Sequence, residues 1–570
     1  MRASLLFVLL SLASFSFSQS VTAITHVSVI NVVTGKTDPD QTVLIDSNRI
    51  RSVGAFKKIK IPAGAKIIDG QGRFLMPGLT DAHIHFFQSG SLYTRPDGFN
   101  FSAVYPYEKD QQWIRDNFQD LMKRYLAAGI TTVADVGGPM SNYTQRESMK
   151  NNPQMPNAWV TGPLISTYLP SNLDKKDPPI IKVNNAEEAR EQVRKQLPSK
   201  PDFIKIWFIV LPNQKAANLL PIVQAAIDES HKNGLKVAVH ATEHETAKLA
   251  VESGADILVH SVDDKVLSPE FLKLLKEKKI VYIPTLLVAQ NYSRTFTQQF
   301  NYSPYEIRMA NPFAMGTVMD MQHFDKKKIP FDYKNARKGM PIPSEADSTS
   351  LQNLSLLSQF KGLIVSGTDA GNIGTHHASS LYPEFMAMKK AGMSNMEILK
   401  SSTINAAIGF GRVAEAGSVE KGKLADLILL KEDPTVNLEA LQHIEMVFHK
   451  GQSFTPSSLL PTDPEHVVQQ QLNAYNLHDI DAFMETYSDD VELYAFPDKL
   501  MGKGKEAMRK DYQSMFQQVK DLHCEVTKRI IQGNTVIDHE TVSGFGPKSM
   551  KAIAIYVVEK GKITKVYFIQ

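Results

Sequence analysis

The chain is poor in residues that would build disulfides or a strongly charged surface. Cys524 is the single cysteine among 570 residues, which excludes an intrachain disulfide framework and a cysteine-rich zinc site. Lysine and arginine total 63 against 60 aspartate and glutamate, and the net charge is +3. This balance gives no basic surplus for a nucleic-acid partner. Any bound metal ion would therefore need histidine, carboxylate or a modified side chain as its ligands.

Long apolar runs are also absent after the first residues. The opening "MRASLLFVLLSLASFSFSQS" combines Arg2, an apolar stretch over residues 5–12 and a small-residue end at 16–18. This layout is typical of a secretory signal peptide, and we predict one over residues 1–18 rather than an uncleaved anchor. The mature protein is then periplasmic or secreted, with no membrane partner. Export without disulfides favours a bacterial periplasm.

Short alternating runs such as "QTVLIDSNRIRSVG" follow this segment, and glycine, aspartate or asparagine bounds each of them. The same pattern of short strand-like runs between turn residues occurs again from near Gly417, in "GSVEKGKLADLILLKEDP" and "IEMVFHKGQ". Val- and Ile-rich runs between turn residues indicate strands. We therefore predict that residues 19–75 and 416–455 fold together into one small composite β-sandwich domain.

Between these flanks, over residues 76–415, continuous apolar runs alternate with helical stretches. The runs cover residues 79–86, 129–138, 157–166, 202–209, 235–241, 256–262, 280–288 and 363–371. Runs that are apolar throughout are typical of parallel strands covered on both faces. Eight strand–helix units predict an α/β fold, a (β/α)8 TIM barrel. The gap from about 289 to 360 predicts an inserted helical segment.

Potential metal ligands cluster in and after these runs. "MPGLTDAHIHF" places His83 and His85 two apart, so both would leave a strand on the same side and offer half of a transition-metal site. Taken alone, the pair fits buried structural histidines equally well. Catalytic groups of such barrels lie at the carboxyl ends of the strands. Later runs supply four further candidates there: Lys205, His240, His260 and Asp369.

Lys205 is unusual because it lies inside the apolar run "DFIKIWFI". A buried lysine that stays charged and unpaired is costly. It could pair with an acid such as Asp369, or its neutral amine could react with carbon dioxide to give a carbamate that bridges two metal ions. Asp369 itself could simply cap the helix that follows it.

Seven motifs together resemble the amidohydrolase superfamily over roughly residues 21–452: "LMPGLTDAHIHF", "AAGITTVADVGG", "DFIKIW", "VAVHA", "ILVHSV", "VSGTDAG" and "GSVEKGKLADLILL". The "IKI" strand is similar to the branch of imidazolonepropionase-like enzymes and bacterial Xaa-Pro dipeptidases. This resemblance implies that six side chains bind two divalent metal ions, with zinc expected: His83, His85, Lys205, His240, His260 and Asp369.

The resemblance also implies a role for each ligand. The two histidines of the first run would bind the first ion, those of the fifth and sixth runs the second, and an N6-carboxylated Lys205 would bridge them. Asp369 would contact the first ion and act as the catalytic base. It would take a proton from the attacking water and return it to the leaving nitrogen.

Four further residues near these run ends are candidate substrate contacts. Glu243 and His244 follow the fifth run, and His376 and His377 follow the eighth. No arginine or tyrosine for a substrate carboxylate is identified, so a proline dipeptide is not specified as the substrate.

Residues 464–570 follow a linker over 456–463. "QLNAYNLHDIDAFMETYSDDVELYAFP" and "MGKGKEAMRKDY" resemble the nuclear transport factor 2-like, or SnoaL-like, fold. The resemblance implies an α+β cone-shaped barrel with a cavity. The candidates to line it are Tyr494, Asp538, His539 and Tyr556. Dimerisation or small-molecule binding is its expected role, with catalysis as the alternative, and any homo-oligomer would form through it.

The sequence thus predicts an exported, metal-dependent amidohydrolase that cleaves a carbon–nitrogen bond in an amide, dipeptide or cyclic amide of small size. One alternative is a mononuclear deaminase or cyclic-amide hydrolase on the same fold, which metal content would distinguish. Another is an inactive barrel that binds a ligand. The complete set of ligand-type side chains argues against that reading.

Overall fold

The computed structural model describes residues 21–173, 175–322 and 348–569. The predicted signal peptide over residues 1–18 lies outside the described residues. The described chain is a mixed α/β protein, as predicted. None of the helices in these three ranges combines the length and apolarity that a membrane crossing requires.

The described strands are β1 Thr22–Asn31, β2 Lys36–Asp46, β3 Arg49–Ala55, β4 Lys66–Asp69, β5 Phe74–Pro77, β6 Leu79–Ile84, β7 Ile130–Asp135, β8 Asn157–Val160, β9 Leu164–Ser166, β10 Ile180–Lys182, β11 Ile204–Trp207, β12 Val237–His240, β13 Ile257–Val259, β14 Val281–Ile283, β15 Leu363–Ile364, β16 Leu427–Leu430, β17 Ile444–His449, β18 Gln452–Phe454, β19 Tyr487–Ala495, β20 Lys499–Lys503, β21 His523–Gln532, β22 Thr535–Ser543, β23 Met550–Glu559 and β24 Lys562–Ile569. The described α-helices are Tyr107–Ala127, Asn142–Lys150, Ala186–Gln196, Ala216–Lys232, His244–Glu252, Pro269–Glu277, Val288–Thr297, Pro304–Met309, Pro312–Thr317, Ser348–Gln359, Leu381–Lys390, Asn395–Ser401, Ile404–Gly409, Pro464–Asn476, Ile480–Glu485 and Lys505–Gln518.

The strands on either side of the central region pair with one another. They form an eight-stranded sheet in the order β18-β17-β16-β5-β1-β2-β3, with β4 on β1. Leu75 on β5 faces Leu429 on β16, and both side chains are buried in one apolar cluster. Arg73 and Glu445 add an ion pair of 2.6 Å between the same two parts of the chain. The two flanks are therefore joined by backbone hydrogen bonds.

The central strands run parallel and differ from the predicted runs in length. β6-β7-β8 form one sheet and β10-β9-β11-β12-β13-β14-β15 another. The third predicted run is divided into β8 and β9 with Pro163 between them, where a proline has no N–H to donate. The eighth run is strand only over two residues, and β10 was not predicted.

Hydrogen bonds also join the first and last strand segments. Ala82 N donates to Ser366 O at 3.0 Å, Asp369 N to His83 O at 2.7 Å and His85 N to Ala370 O at 2.9 Å. Together with the strand order, these bonds are consistent with the predicted TIM barrel.

The central strands bury both faces, as continuous apolar runs should. On β11, Ile204 and Ile206 pack in the large cluster that includes the surrounding helices. Phe203 packs in a smaller cluster with inward residues of neighbouring strands, such as Ala238 and Ile257. Because strand residues alternate in direction, Lys205 lies on the same side as Phe203. The alternation of side chains along β11, rather than an ion pair, therefore directs Lys205 to the same side of the sheet as Phe203.

The C-terminal domain has helices packed on a six-stranded sheet in the order β20-β19-β24-β23-β22-β21. It contacts helices of the predicted insertion. Asn473 Nδ2 donates to Pro312 O at 2.7 Å, and Arg308 pairs with Glu485 at 3.1 Å. Met315 shares an apolar cluster with the domain core. Residues 323–347 of that insertion lie outside the described residues.

The pairing of the two flanks predicts an energetic coupling across a long sequence separation. Leu75→Ala and Leu429→Ala should each lower the free energy of unfolding by about 2–5 kcal/mol, since each leaves a cavity. The double variant should deviate from the sum by about 0.5–3 kcal/mol because the side chains are in one cluster. Urea denaturation followed by circular dichroism measures all three. Val436→Ala, at an exposed site, is the matched control. Strictly additive losses would contradict joint folding of the flanks.

Candidate metal centre

Residues from distant strands meet at one point of the central domain. Ligand atoms of His83, His85 and Asp369 all lie within 4.8 Å of one another. Asp369 Oδ1 is 3.3 Å from His83 Nε2 and 3.1 Å from His85 Nε2. The ring of His260 lies 4.8 Å from that of His83 and 4.5 Å from that of His240. Five of the six predicted ligands therefore form one cluster.

Lys205, the sixth, lines the same cavity as these side chains. It is almost completely buried. Burial lowers the pKa of Lys205 to about 7, although the nearby Asp369 carboxylate acts in the opposite direction. A substantial fraction of the amine is therefore neutral at physiological pH, as reaction with carbon dioxide requires.

Burial favours the neutral form, the form that binds metal ions, in three of the four histidines: His83, His240 and His260. It lowers the pKa of His83 and of His240 well below the usual value, and that of His260 to about 3. His85 Nδ1 lies 2.7 Å from the carbonyl of Gly137, and this acceptor fixes the proton on Nδ1. The Nε2 lone pair of His85 is thereby directed towards Asp369.

Two of the cluster residues have strained backbones. His260 has φ of 75° and Asp369 has φ of 59°, a region that costs residues other than glycine about 1–3 kcal/mol. The bond from Asp369 N to His83 O, at 2.7 Å, and that from His260 N to Ile283 O, at 2.8 Å, hold these conformations. Such strain concentrates at functional sites.

A buried carboxylate behind the cluster ties the first strand to the last. Asp81 accepts hydrogen bonds from Thr368 N at 3.0 Å and from Thr368 Oγ1 at 2.7 Å. Gly367 makes this approach possible, because a Cβ there would lie 2.8 Å from His83 Cβ. The sequence prediction missed Asp81, although it stands two residues before His83 in the quoted motif.

The donor set fits divalent metal ions. Both ring nitrogens of His83, Lys205 Nζ and Asp369 Oδ1 are buried and make no hydrogen bond to the residues that the structure describes. Buried polar atoms without partners are costly. Imidazole nitrogen and carboxylate oxygen are ligands that zinc and related ions accept. Metal binding would therefore satisfy atoms that the fold leaves without partners.

The cluster lies in a cavity of about 270 Å³. One wall is apolar and includes Leu164, Ile180 and Trp207. The lining also includes three polar residues that the sequence prediction missed: Arg95, Tyr292 and Asn372.

These three polar residues form one hydrogen-bonded group. Arg95 NH1 donates to Asn372 Oδ1 at 2.6 Å, and Tyr292 OH donates to the same oxygen at 3.0 Å. Arg95 also forms a two-pronged ion pair with Asp97, at 2.8 and 2.6 Å. Arg95 and Asn372 are 277 positions apart, and no local motif marks either one.

The four predicted substrate contacts lie outside the described lining of this cavity. Glu243 is exposed before the helix His244–Glu252, and the ring of His244 packs at 5.2 Å from Phe271.

The later pair of histidines is buried behind the cavity wall. His377 contacts Tyr125 OH at 2.8 Å and the carbonyl of Gln88 at 2.7 Å. His376 packs near Tyr302, with ring centres 5.8 Å apart. A substrate role for the four residues stays a prediction.

The C-terminal candidates are separated by the structure. Tyr556 lines a cavity of that domain, together with Glu540, which was not predicted. Asp538 is instead paired with Arg529 at 2.6 Å. His539 is exposed, and Tyr494 stacks on Tyr567 with ring centres 5.0 Å apart. These three lie outside the described lining.

Comparison with known proteins agrees with this geometry. Residues 74–454 match the family model described as "Amidohydrolase family", and residues 468–566 match the SnoaL-like domain. An uncharacterised protein of Mycobacterium tuberculosis is 22% identical over 235 residues, 41% of this chain and 52% of its own length. The chain thus spans about half the length of that relative. Adenine deaminase of Paracoccus denitrificans is 37% identical over 78 residues, 14% of this chain and 12% of its own length.

Solved structures share the fold. A Xaa-Pro dipeptidase with bound methionine has a TM-score of 0.59 at 21% identity, over 76% of this chain and 100% of that one. Molinate hydrolase has a TM-score of 0.58 at 19% identity, over 79% and 97%. Ochratoxinase of A. niger has a TM-score of 0.56 at 19% identity, over 76% and 95%. With the family model covering most of the chain, the protein belongs to the amidohydrolase family.

Proposed function

We propose that the protein is an exported, binuclear metallohydrolase that cleaves an amide bond of a small substrate at the strand ends of a closed (β/α)8 barrel. One observation carries the proposal: the ligand atoms of His83, His85 and Asp369 converge within 4.8 Å. The family assignment supports carbon–nitrogen bond hydrolysis. Export rests on the sequence pattern of residues 1–18 alone.

The six predicted side chains would hold the two ions. His83, His85 and Asp369 would hold one, and His240 with His260 the other. When bound, such ions supply Lewis acidity and a water of lowered pKa. We take zinc as the first candidate metal because the neutral imidazoles match its preferred ligands.

Lys205 would complete the site as a carbamate. Carbon dioxide would add to the neutral Nζ, forming one N–C bond and releasing one proton, which leaves an N6-carboxylated lysine. The burial of Lys205 among histidines supports this, because the carbamate turns a cation that repels metal ions into an anion that binds them.

Asp369 would handle the proton of the reaction. Its Oδ1 lies beside the Nε2 atoms of His83 and His85, so Oδ2 is the carboxylate oxygen that would accept a proton from the attacking water. The same group would return that proton to the leaving nitrogen, and no second acid is needed.

The polar and the apolar residues of the cavity lining support a proposal for the substrate class. The group of Arg95, Tyr292 and Asn372 suits a carboxylate or carbonyl at one end of the substrate, and the wall that contains Trp207 suits an apolar side chain or acyl group. We propose N-acylated amino acids and dipeptides with an apolar residue as substrates. The fold neighbour with bound methionine is consistent with this size.

A mononuclear deaminase or cyclic-amide hydrolase is the second candidate. One observation favours it: only three of the described predicted ligands, His83, His85 and Asp369, form a compact metal-type group. In that case Lys205 would remain an amine.

Metal content separates the two candidates. Protein prepared with bicarbonate should contain about two metal ions per chain, and Lys205→Ala about one or none, because the bridging ligand is lost. Hydrolysis should fall by more than the roughly 100-fold that removal of a group behind a metal ligand costs. Elemental analysis and a screen of dipeptides, acylated amino acids and cyclic amides measure both.

Lys273→Ala is the matched control, since this lysine is exposed and should leave metal content unchanged. One ion per chain in both the parent and Lys205→Ala would exclude the carbamate bridge and move the screen to deaminase substrates. No metal in either would favour an inactive, ligand-binding barrel.

The proposed carboxylate anchor can be tested by neutralising its ion pair. Arg95→Gln alone would leave Asp97 buried without its cation, so the variant to measure is Arg95→Gln/Asp97→Asn. For an N-acyl amino acid, KM should rise about 10- to 100-fold, the cost of one charged hydrogen bond. KM for the same substrate with an amidated carboxyl group should change little.

Arg190→Gln/Glu187→Gln, which removes an ion pair on a surface helix, is the matched control. Equal rises in KM for the N-acyl amino acid and for its amidated form would show that the Arg95–Asp97 pair shapes the cavity but does not bind the substrate carboxylate.

A further inference from the structure

The C-terminal domain contains a second cavity, of about 760 Å³, that shares no described lining residue with the metal-type cavity. Helices Pro464–Asn476 and Lys505–Gln518 and the inner face of the sheet form its walls. Its lining is rich in aromatic rings: Tyr475, Tyr487, Tyr512, Tyr556, Phe545 and Phe568. This volume and lining are those of a small-molecule site.

Glu540 is the only acidic side chain in the described lining of this cavity. It is 9% exposed, and Tyr556 OH donates a hydrogen bond to its Oε1 at 2.9 Å. Burial raises the pKa of Glu540 to about 7, although the hydrogen bond from Tyr556 acts in the opposite direction. An unpaired carboxylate in this position is therefore poorly stabilised by the protein itself.

No cation of the described chain forms an ion pair with Glu540. The nearby guanidinium of Arg529 is engaged by Asp538 through two hydrogen bonds of 2.7 and 2.6 Å. Lys551 is the other charged residue of the lining, but it is exposed. The cross-strand partner of Glu540 is Ala552, whereas Lys551 pairs with Thr541.

The cavity has an apolar mouth. Phe496, Met501, Phe545 and Met550 line the cavity and are also among the exposed large hydrophobic residues of the protein. Exposed apolar side chains grouped in this way mark a binding surface more often than chance exposure does. A ligand that enters here would cross an apolar rim before it meets the carboxylate.

We propose that this cavity binds a small organic amine whose ring-bearing, apolar body packs among the tyrosines and whose ammonium group pairs with Glu540. The faces of aromatic rings attract cations, and the attraction is strongest when water is excluded. The ammonium supplies the counter-charge that the described chain does not place at Glu540. The site is independent of the proposed hydrolase centre.

Isothermal titration calorimetry of the full chain with three matched probes tests this proposal. The probes are 2-naphthylmethylamine, 2-naphthylmethanol and 2-naphthoate, which share one ring system and differ in charge. The amine should bind once per chain, with a Kd at least about tenfold below that of the alcohol. The naphthoate should not bind measurably, since it would bring a second anion to Glu540.

Glu540→Gln should raise the Kd of the amine to that of the alcohol and leave the Kd of the alcohol unchanged. Asp489→Asn, which removes an exposed carboxylate of the same domain, should change neither. Unfolding temperatures of both variants show that the domain is intact.

Equal affinity for amine and alcohol, or amine binding that Glu540→Gln does not weaken, would overturn the proposal. A second result would also overturn it: no probe binds, the parent chain is a dimer, and Phe545→Asp makes it a monomer. The apolar mouth would then be an interface between two copies of the chain.

Discussion

The candidate site depends on the hydrogen bonds that join the first and last strand segments of the central domain. Asp369 N donates to His83 O at 2.7 Å, and Thr368 donates twice to Asp81. These bonds fix the catalytic candidate directly beside the histidine pair. They also hold Asp369 in a strained conformation that an isolated loop would not keep. This junction brings the histidine pair of the first strand segment to Asp369, which follows the last one.

The central domain accepts buried polar atoms that its own residues do not satisfy. The atoms of His83, Lys205 and Asp369 without partners would be a liability in a purely structural core. The same burial lowers the pKa of Lys205 to about 7. Desolvation thus favours neutral imidazoles at His83, His240 and His260, and it favours the neutral amine of Lys205 that the proposed carboxylation requires. Stability is given up locally where binding capacity is gained.

The two cavities offer opposite electrostatics. In the central one, Arg95 belongs to a hydrogen-bonded polar group with Tyr292 and Asn372, which suits the anionic substrate end that we propose. The C-terminal one contains Glu540 among tyrosine rings, which suits a cation. The insertion helices, through Met315 and its neighbours, pack the two domains together. One chain can therefore present two binding sites of different specificity.

The sequence by itself determined the parts that rest on local period and spacing. Alternation in "DFIKIWFI" directs Lys205 inward, and H-x-H places His83 and His85 on one face. Only the tertiary structure decided the contacts between segments that are distant in the sequence. Arg95 contacts Asn372, which is 277 positions away in the sequence, and no local sequence pattern predicts this contact. Asp538 and Glu540 lie on the same face of β22, because they are two residues apart. Strand alternation therefore does not distinguish them. Contacts across the sheet do: Asp538 pairs with Arg529, and Glu540 lines the cavity.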